Sequence, residues 1–164
     1  MIPKIIHYCW FGGNSKPKSV EKCIDSWRLY CREFEFIEWN ESNFDISSSP
    51  QYVQQAYEAK KWAFVSDYVR LCALVEYGGI YLDTDMELLK PIDQLLMHKA
   101  FSGTEDGKHI SAGFMGGISD FGFYKQFKNM YNSLSFVNED GTYNYTTIVE
   151  YITEYCKKRL SAGK

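Results

Sequence analysis

The chain has 164 residues, 45% hydrophobic and 24% charged with no low-complexity tract, the make-up of one globular domain with a real core. Net charge is −3, and the only basic runs are Lys60-Lys61 and Lys157-Lys158-Arg159. That is too little positive charge to neutralise a phosphate backbone, so no nucleic-acid partner is expected. The five cysteines are odd in number and form no CxxC pair; Cys9, Cys23 and Cys72 lie among apolar neighbours, as small buried hydrophobes do in a reducing compartment.

In chain order, residues 2–10 are apolar and β-prone between Pro3 and the turn Gly12-Gly13-Asn14, which predicts a buried first strand. The opening MIPKIIHYCWFGG is too short and too polar for a signal sequence, and no apolar run approaches membrane-spanning length. A cytoplasmic chain with no transmembrane segment is the expectation. From Ser19, apolar residues recur at Val20, Cys23, Ile24, Trp27 and Cys31, which is helical spacing. Residues 33–39 alternate and predict a second strand, followed by a polar loop over 40–50. A helical stretch, whole or broken, runs from 50 to 77, with Trp62, Val65, Val69, Cys72 and Leu74-Val75 on its apolar side.

Gly78-Gly79 supplies a left-handed cap, and Ile80-Tyr81-Leu82 forms a short strand. Residues 86–89 run on extended, Asp93 caps a short helix, and 100–103 and 110–117 are further strands. Helices are predicted over 120–131 and 146–160, and the apolar surface of the last, around Ile148, Ile152 and Tyr155, is expected to pack on residues outside the chain or on a second copy. Strands alternating with helices predict an α/β sandwich with a mainly parallel sheet. Ligands of such sheets collect beyond the carboxyl ends of strands, where Asp83 and Asp85 stand.

Two ionised carboxylates this close repel unless a cation lies between them or one takes up a proton. Their oxygens are hard ligands suited to Mg²⁺ or Mn²⁺, and no His/Cys cluster points to zinc. A calcium EF-hand loop starting at Asp83 fails, because its sixth and twelfth positions hold Leu88 and Gln94 instead of Gly and Glu. A phosphatase of DxDxT type would want Thr where Glu87 stands. On the preceding helix, Ala63, Ser66, Asp67 and Arg70 are spaced i, i+3, i+4, i+7 and share one face. That face is either solvated and carries a weak surface ion pair, or is brought beside the carboxylates by the glycine turn.

The run AFVSDYVRLCALVEYGGIYLDTDMELLKPID resembles the central signature of glycosyltransferases with a DXD motif, the kind found in capsule and surface-polysaccharide synthesis. It is similar also to yeast mannosyltransferases of that group and, more distantly, to the glucosylating domains of clostridial toxins. The matching positions are Ala63, Ser66, Asp67, Arg70, Gly78, Gly79, Tyr81, Asp83, Asp85 and Pro91, and IPKIIHYCWFGG looks like the family's opening strand. The resemblance covers residues 1–93 well and thins beyond 100.

It implies a GT-A fold, a Rossmann-like nucleotide-binding sandwich, and a nucleoside-diphosphate sugar donor, UDP favoured, with a saccharide or other hydroxyl acceptor. It implies that Asp85 binds a divalent ion (Mn²⁺ or Mg²⁺) directly, and that Asp83 touches the donor ribose and reaches the metal through water. Asp67 would accept hydrogen bonds from sugar hydroxyls, and Arg70 would donate to the sugar and brace the carboxylates. Ser66 and Tyr81 would belong to the same donor pocket. Trp10 would stack on the nucleobase, with a plain core role as the alternative.

Members of that family retain the anomeric configuration; no nucleophile is nominated here. They continue well past position 164, so the resemblance implies a single domain over 1–164 that is either a form lacking a C-terminal portion or a naturally short one. His98 and His109, the downstream histidines, are expected to be surface or structural residues, and Ser111 and Ala112 fall about where the family has a loop facing donor and acceptor. A non-catalytic sugar-nucleotide-binding fragment and a metal-dependent phosphohydrolase are the competing readings. Homo-oligomerisation or peripheral membrane association stays open.

Overall fold

The computed structural model describes residues 1–104 and 106–162, with side chains described through Lys158. Its strands are β1 (Ile5–Cys9), β2 (Glu35–Trp39), β3 (Gly79–Leu82), β4 (Ala100–Thr104) and β5 (Ile110–Gly117). They form one sheet in the order β2-β1-β3-β5-β4. β1 pairs in parallel with β2 and β3, while β5 runs antiparallel to both β3 and β4. Four strands therefore point one way and β5 alone is reversed, so the sheet is mixed around a parallel centre.

The helices are α1 (Lys18–Tyr30), α2 (Gln51–Glu58), α3 (Trp62–Glu76), α4 (Gly122–Met130) and α5 (Ile148–Ala162). Because strand side chains alternate in direction, β1 and β3 feed two separate cores. Ile6, Tyr8, Ile80 and Leu82 pack on Val20, Cys23, Ile24 and Trp27 of α1. Cys9, Tyr81, Ala112 and Met115 pack on residues of α2, α3, α4 and α5. This is a three-layer α/β/α sandwich. Each fully buried large side chain, such as Trp27 or Ile80, contributes about 1.5–3 kcal/mol.

The predicted helix over 50–77 is two helices. Lys60 adopts φ 56° between α2 and α3, a left-handed residue that no α-helix continues through. The face of α3 bearing Asp67 and Arg70 is not solvated: they are 7% and 4% exposed, because β5 and the start of α5 close over them. Cys31 proves more deeply buried than Cys72, and all five cysteines are free thiols. The apolar side of α5 is covered from within the chain: Ile148 and Ile152 are 2% and 1% exposed, and Tyr155 packs edge-on against Phe127.

The glycine pair works as a hinge between α3 and β3. Gly78 and Gly79 have φ +67° and +107°, and a Cβ on Gly79 would lie 2.7 Å from the Ile5 carbonyl oxygen. Only glycine turns the chain here tightly enough for β3 to enter beside β1. Chain order then places β1 next to β2 on one side and β3 on the other. A crevice opens beyond the carboxyl ends of β1 and β3, at the switch point of the parallel part.

Candidate functional site

A cleft of about 530 Å³ lies at that crevice. The end of β1 gives it Cys9, Trp10 and Phe11; α3 gives Trp62, Ala63, Phe64, Ser66, Asp67 and Arg70. Tyr81, Asp83, Thr84 and Asp85 enter from β3 and the turn after it, and Ala112 and Gly113 from β5. Thr147, Ile148 and Val149 at the start of α5 close the far wall.

Arg70 organises the interior. Its Nη2 lies 2.9 Å from Asp67 Oδ1 and 3.3 Å from Asp83 Oδ1. Nη1 donates to the Ala112 carbonyl at 2.7 Å, and Nε donates to the Ser66 carbonyl at 3.2 Å. The guanidinium carbon sits 4.5 Å above the Tyr81 ring, which is itself buried beneath it. A flat fork with five donors satisfies all of these at once, which an ammonium cannot. Burial acts against the Arg70 charge, but Tyr81, Asp83 and Asp67 outweigh it and hold the group protonated.

Asp67 is ionised at neutral pH yet easily neutralised. Burial pushes its carboxyl up to about 6, against the pull of Arg70 and of the Ile148 amide, which donates to Oδ2 at 3.3 Å. Each carboxylate oxygen keeps a lone pair for a further donor, so Asp67 can still accept from a hydroxyl in the cleft.

Asp83 is anchored on three sides. Its amide donates to the Gly113 carbonyl at 2.8 Å, Arg70 holds its carboxylate, and the Met86 amide closes a turn onto its carbonyl at 3.0 Å. Gly113 makes room for it: a Cβ there would come within 2.7 Å of Asp83 Oδ2. Asp85, two residues on, is exposed at the cleft and receives no hydrogen bond or ion pair from the described residues.

This pair fits a hard divalent ion shared with a ligand. Among the described residues no group of three or more His, Cys, Asp or Glu is placed to hold a metal. Mg²⁺ and its like are commonly held by one or two carboxylates with substrate phosphates and water completing the shell, so two aspartates facing an open cleft suffice.

Trp10 is half-buried at the cleft wall; its Nε1 donates to the Asn14 carbonyl at 2.7 Å, and Lys16 Nζ lies 5.7 Å over the ring. Ser66 Oγ donates back to the Trp62 carbonyl at 2.9 Å. His98 and His109 are exposed and away from the cleft, His109 lying against Asp106. Cys9 faces the cleft, but burial pushes its thiol up to about 12, so it is a packed hydrophobe and not a nucleophile.

The structure thus brings all of the predicted site residues to one cleft: Trp10, Ser66, Asp67, Arg70, Tyr81, Asp83 and Asp85. Sequence reading missed the Ile148 amide and Gly113, and it placed Ala112 near the site only through the resemblance, without its carbonyl's bond to Arg70; Ser111 does not line the cleft. The Ala112 carbonyl and the Ile148 amide are backbone groups with no side-chain signature. Gly113 had a faint one, a small residue inside a predicted strand.

Comparison with known proteins follows the same lines. A model of the family described as glycosyltransferase sugar-binding region containing DXD motif matches residues 17–102. Inositol phosphoceramide mannosyltransferase 3 of Schizosaccharomyces pombe is 32% identical over 122 residues, spanning 70% of this chain and 33% of that protein. An uncharacterized glycosyltransferase of Acanthamoeba polyphaga mimivirus is 26% identical over 175 residues, 96% of this chain and 67% of that one. Mannosyl phosphorylinositol ceramide synthase of Saccharomyces cerevisiae is 28% identical, over 76% of this chain and 34% of its own length. The chain therefore spans about a third of the two yeast proteins. Among solved structures, PaToxG glycosyltransferase superposes with TM-score 0.61 at 19% identity, over 78% of this chain and 58% of that one, which establishes a shared GT-A-like fold.

Proposed function

Because this chain belongs to the glycosyltransferases whose sugar-binding region contains a DXD motif, we propose that it moves a sugar from a nucleoside-diphosphate donor, UDP favoured over GDP, to a saccharide or other hydroxyl acceptor. One observation carries the reading. Arg70 ties Asp67 and Asp83 together inside a cleft at the sheet's switch point, and Asp85 stands beside them with its carboxylate free.

The donor lies with its base toward Trp10, its diphosphate toward Asp83 and Asp85, and its sugar toward Asp67 and Arg70. Asp67 accepts from the sugar hydroxyls, and Arg70 fixes Asp67 and Asp83 so that neither reorganises during the reaction. Asp85 and Asp83 would hold a divalent ion, Mn²⁺ or Mg²⁺, which would supply Lewis-acid neutralisation of the charge left on the diphosphate. Ile148 and Phe64 wall off the sugar end from water. Transfer with retention, and a role in surface-polysaccharide synthesis, belong to this reading. The names of the two yeast relatives add mannose and inositol phosphoceramide to the donors and acceptors worth assaying.

Calorimetry with UDP, GDP and their glucose, galactose and mannose conjugates, each with and without Mn²⁺, tests it. Metal-dependent binding of one nucleotide, followed by sugar transfer or slow donor hydrolysis, is expected. Tight binding with neither reaction would leave a sugar-nucleotide-binding module. Phosphate release from generic esters would make it a phosphohydrolase.

A further inference from the structure

Among the described residues three tyrosines are exposed, and two of them, Tyr143 and Tyr145, stand side by side at 38% and 55% exposure. Their rings meet edge to face with centroids 6.0 Å apart. Tyr143 stacks on Phe136, and Tyr145 leans on Phe64 at 5.8 Å. Phe64 lines the cleft, as do Thr147 and Ile148 just after Tyr145. The pair thus stands on the outer side of the wall behind Asp67, at the sugar end of the cleft.

The segment that carries the pair is held firmly. Val137 bridges to Tyr143, and the Asn144 amide donates to the Phe136 carbonyl at 2.7 Å. Gln55 Oε1 accepts from the Phe136 and Val137 amides at 2.8 and 3.1 Å, which pins the segment to α2. Exposed rings fixed in place lose little freedom when a ligand settles on them.

Lys61 completes the patch. It precedes α3, and its Nζ lies 6.0 Å from the Tyr143 ring centre and 5.6 Å from that of Tyr145. It forms no ion pair among the described residues. An unpaired ammonium beside two exposed aromatic rings suits a ligand with an apolar ring face and a negative group. We propose that Lys61, Tyr143 and Tyr145 form an acceptor subsite for a saccharide that carries an anionic substituent, a carboxylate or a phosphate. The sugar ring lies on the tyrosines, the anion meets Lys61, and the next hydroxyl points over Phe64 into the cleft. The acceptor role rests on the transferase reading; the binding itself does not.

The test is titration calorimetry on the whole chain with UDP and Mn²⁺ present, using trigalacturonate, mannose 6-phosphate and neutral maltotriose as probes. At least one charged probe is expected to bind more tightly than maltotriose, and the tighter of the two identifies the anion. Lys61→Met should weaken that probe roughly tenfold, the loss of one charge-assisted contact. Lys61→Arg should restore it, and Tyr145→Ala should abolish it. Mn²⁺-dependent UDP affinity should stay unchanged in all three variants, and melting temperature in the two Lys61 variants. Equal binding of maltotriose, no effect of Lys61→Met, or no probe binding while UDP binds, would each overturn the subsite. Lys61-dependent probe binding without any UDP binding would keep the anionic-saccharide site and end the transferase reading.

Discussion

Arg70 Nη2 and Asp83 Oδ1 lie 3.3 Å apart, although one belongs to the middle of a buried helix and the other to the turn after a strand. The same guanidinium bonds Asp67 on its own helix at 2.9 Å and the Ala112 carbonyl on β5 at 2.7 Å. The first DXD carboxylate is therefore held by the helix that carries the proposed sugar-binding acid. Replacing Arg70 strands a buried carboxylate and a buried carbonyl. Arg70→Met should cost about 3–5 kcal/mol in urea unfolding at pH 7.5, and less at pH 5, where Asp67 takes up a proton. A loss below about 1 kcal/mol would mean the cluster is not the structural joint described here.

The two acids flanking the proposed donor should respond differently. Asp85 is exposed and has no partner among the described residues, so Asp85→Asn should leave stability within about 0.5 kcal/mol while abolishing Mn²⁺-dependent nucleotide binding. Unchanged affinity with metal would remove Asp85 from the metal site. Asp67→Ala should weaken a UDP-sugar more than UDP itself, compared by calorimetry on a background whose fold is checked by circular dichroism. Equal losses would take Asp67 out of the sugar pocket.

Gly113 is required by space alone. A methyl group there meets Asp83 Oδ2 at 2.7 Å, so Gly113→Ala should push the carboxylate off Arg70. We expect a loss of about 1–3 kcal/mol together with weaker metal-dependent nucleotide binding. Gly103→Ala, where the nearest atom is 3.8 Å away, is the matched control and should be close to neutral in both measurements.

His7 should make stability depend on pH. The Trp39 indole N–H can only donate, at 3.2 Å to Nδ1, so His7 is neutral with its proton on Nε2, donating to the Gly78 carbonyl at 2.8 Å. Burial lowers its pKa below the ordinary 6.5, so the unfolded chain binds the proton more readily than the folded one. Its contribution is full above pH 6.5 and is lost as pH falls through the folded value, at up to about 1.4 kcal/mol per pH unit, or roughly 3–6 °C in Tm. Asp67 works in the opposite sense: its carboxyl is raised from 3.8 to about 6, so its contribution is full below pH 3.8 and lost as pH rises through 6. His7→Gln keeps a donor and an acceptor but does not titrate. On going from pH 7.5 to 5 the melting temperature should fall less in that variant than in the parent, or rise, because the Asp67 contribution then acts alone; identical slopes would count against the His7 assignment.

The element order, the glycine turn before β3 and the carboxylates at its end could all be read from residue spacing, because strand and helix periods and a glycine pair are local signals. So was the shared face of Ser66, Asp67 and Arg70. What the sequence could not say is that this face is buried, since a helix face with an acid and a base looks the same whether water or a strand lies against it. The break at Lys60 and the cover over Ile148 and Ile152 likewise depend on which elements pack together.

The sequence by itself therefore determined the fold class and, among the candidate side chains, Ser66, Asp67, Arg70, Asp83 and Asp85, through patterns that span at most two or three turns of chain; Trp10 and Tyr81 came from the family resemblance. Only the tertiary structure decided that one guanidinium serves both Asp67 and Asp83, that Gly113 clears the space, and that the Ile148 amide reaches Asp67. Those contacts join residues 13, 30 and 81 positions apart, two of them through groups that carry no side-chain identity, and such contacts exist only once the layers have closed.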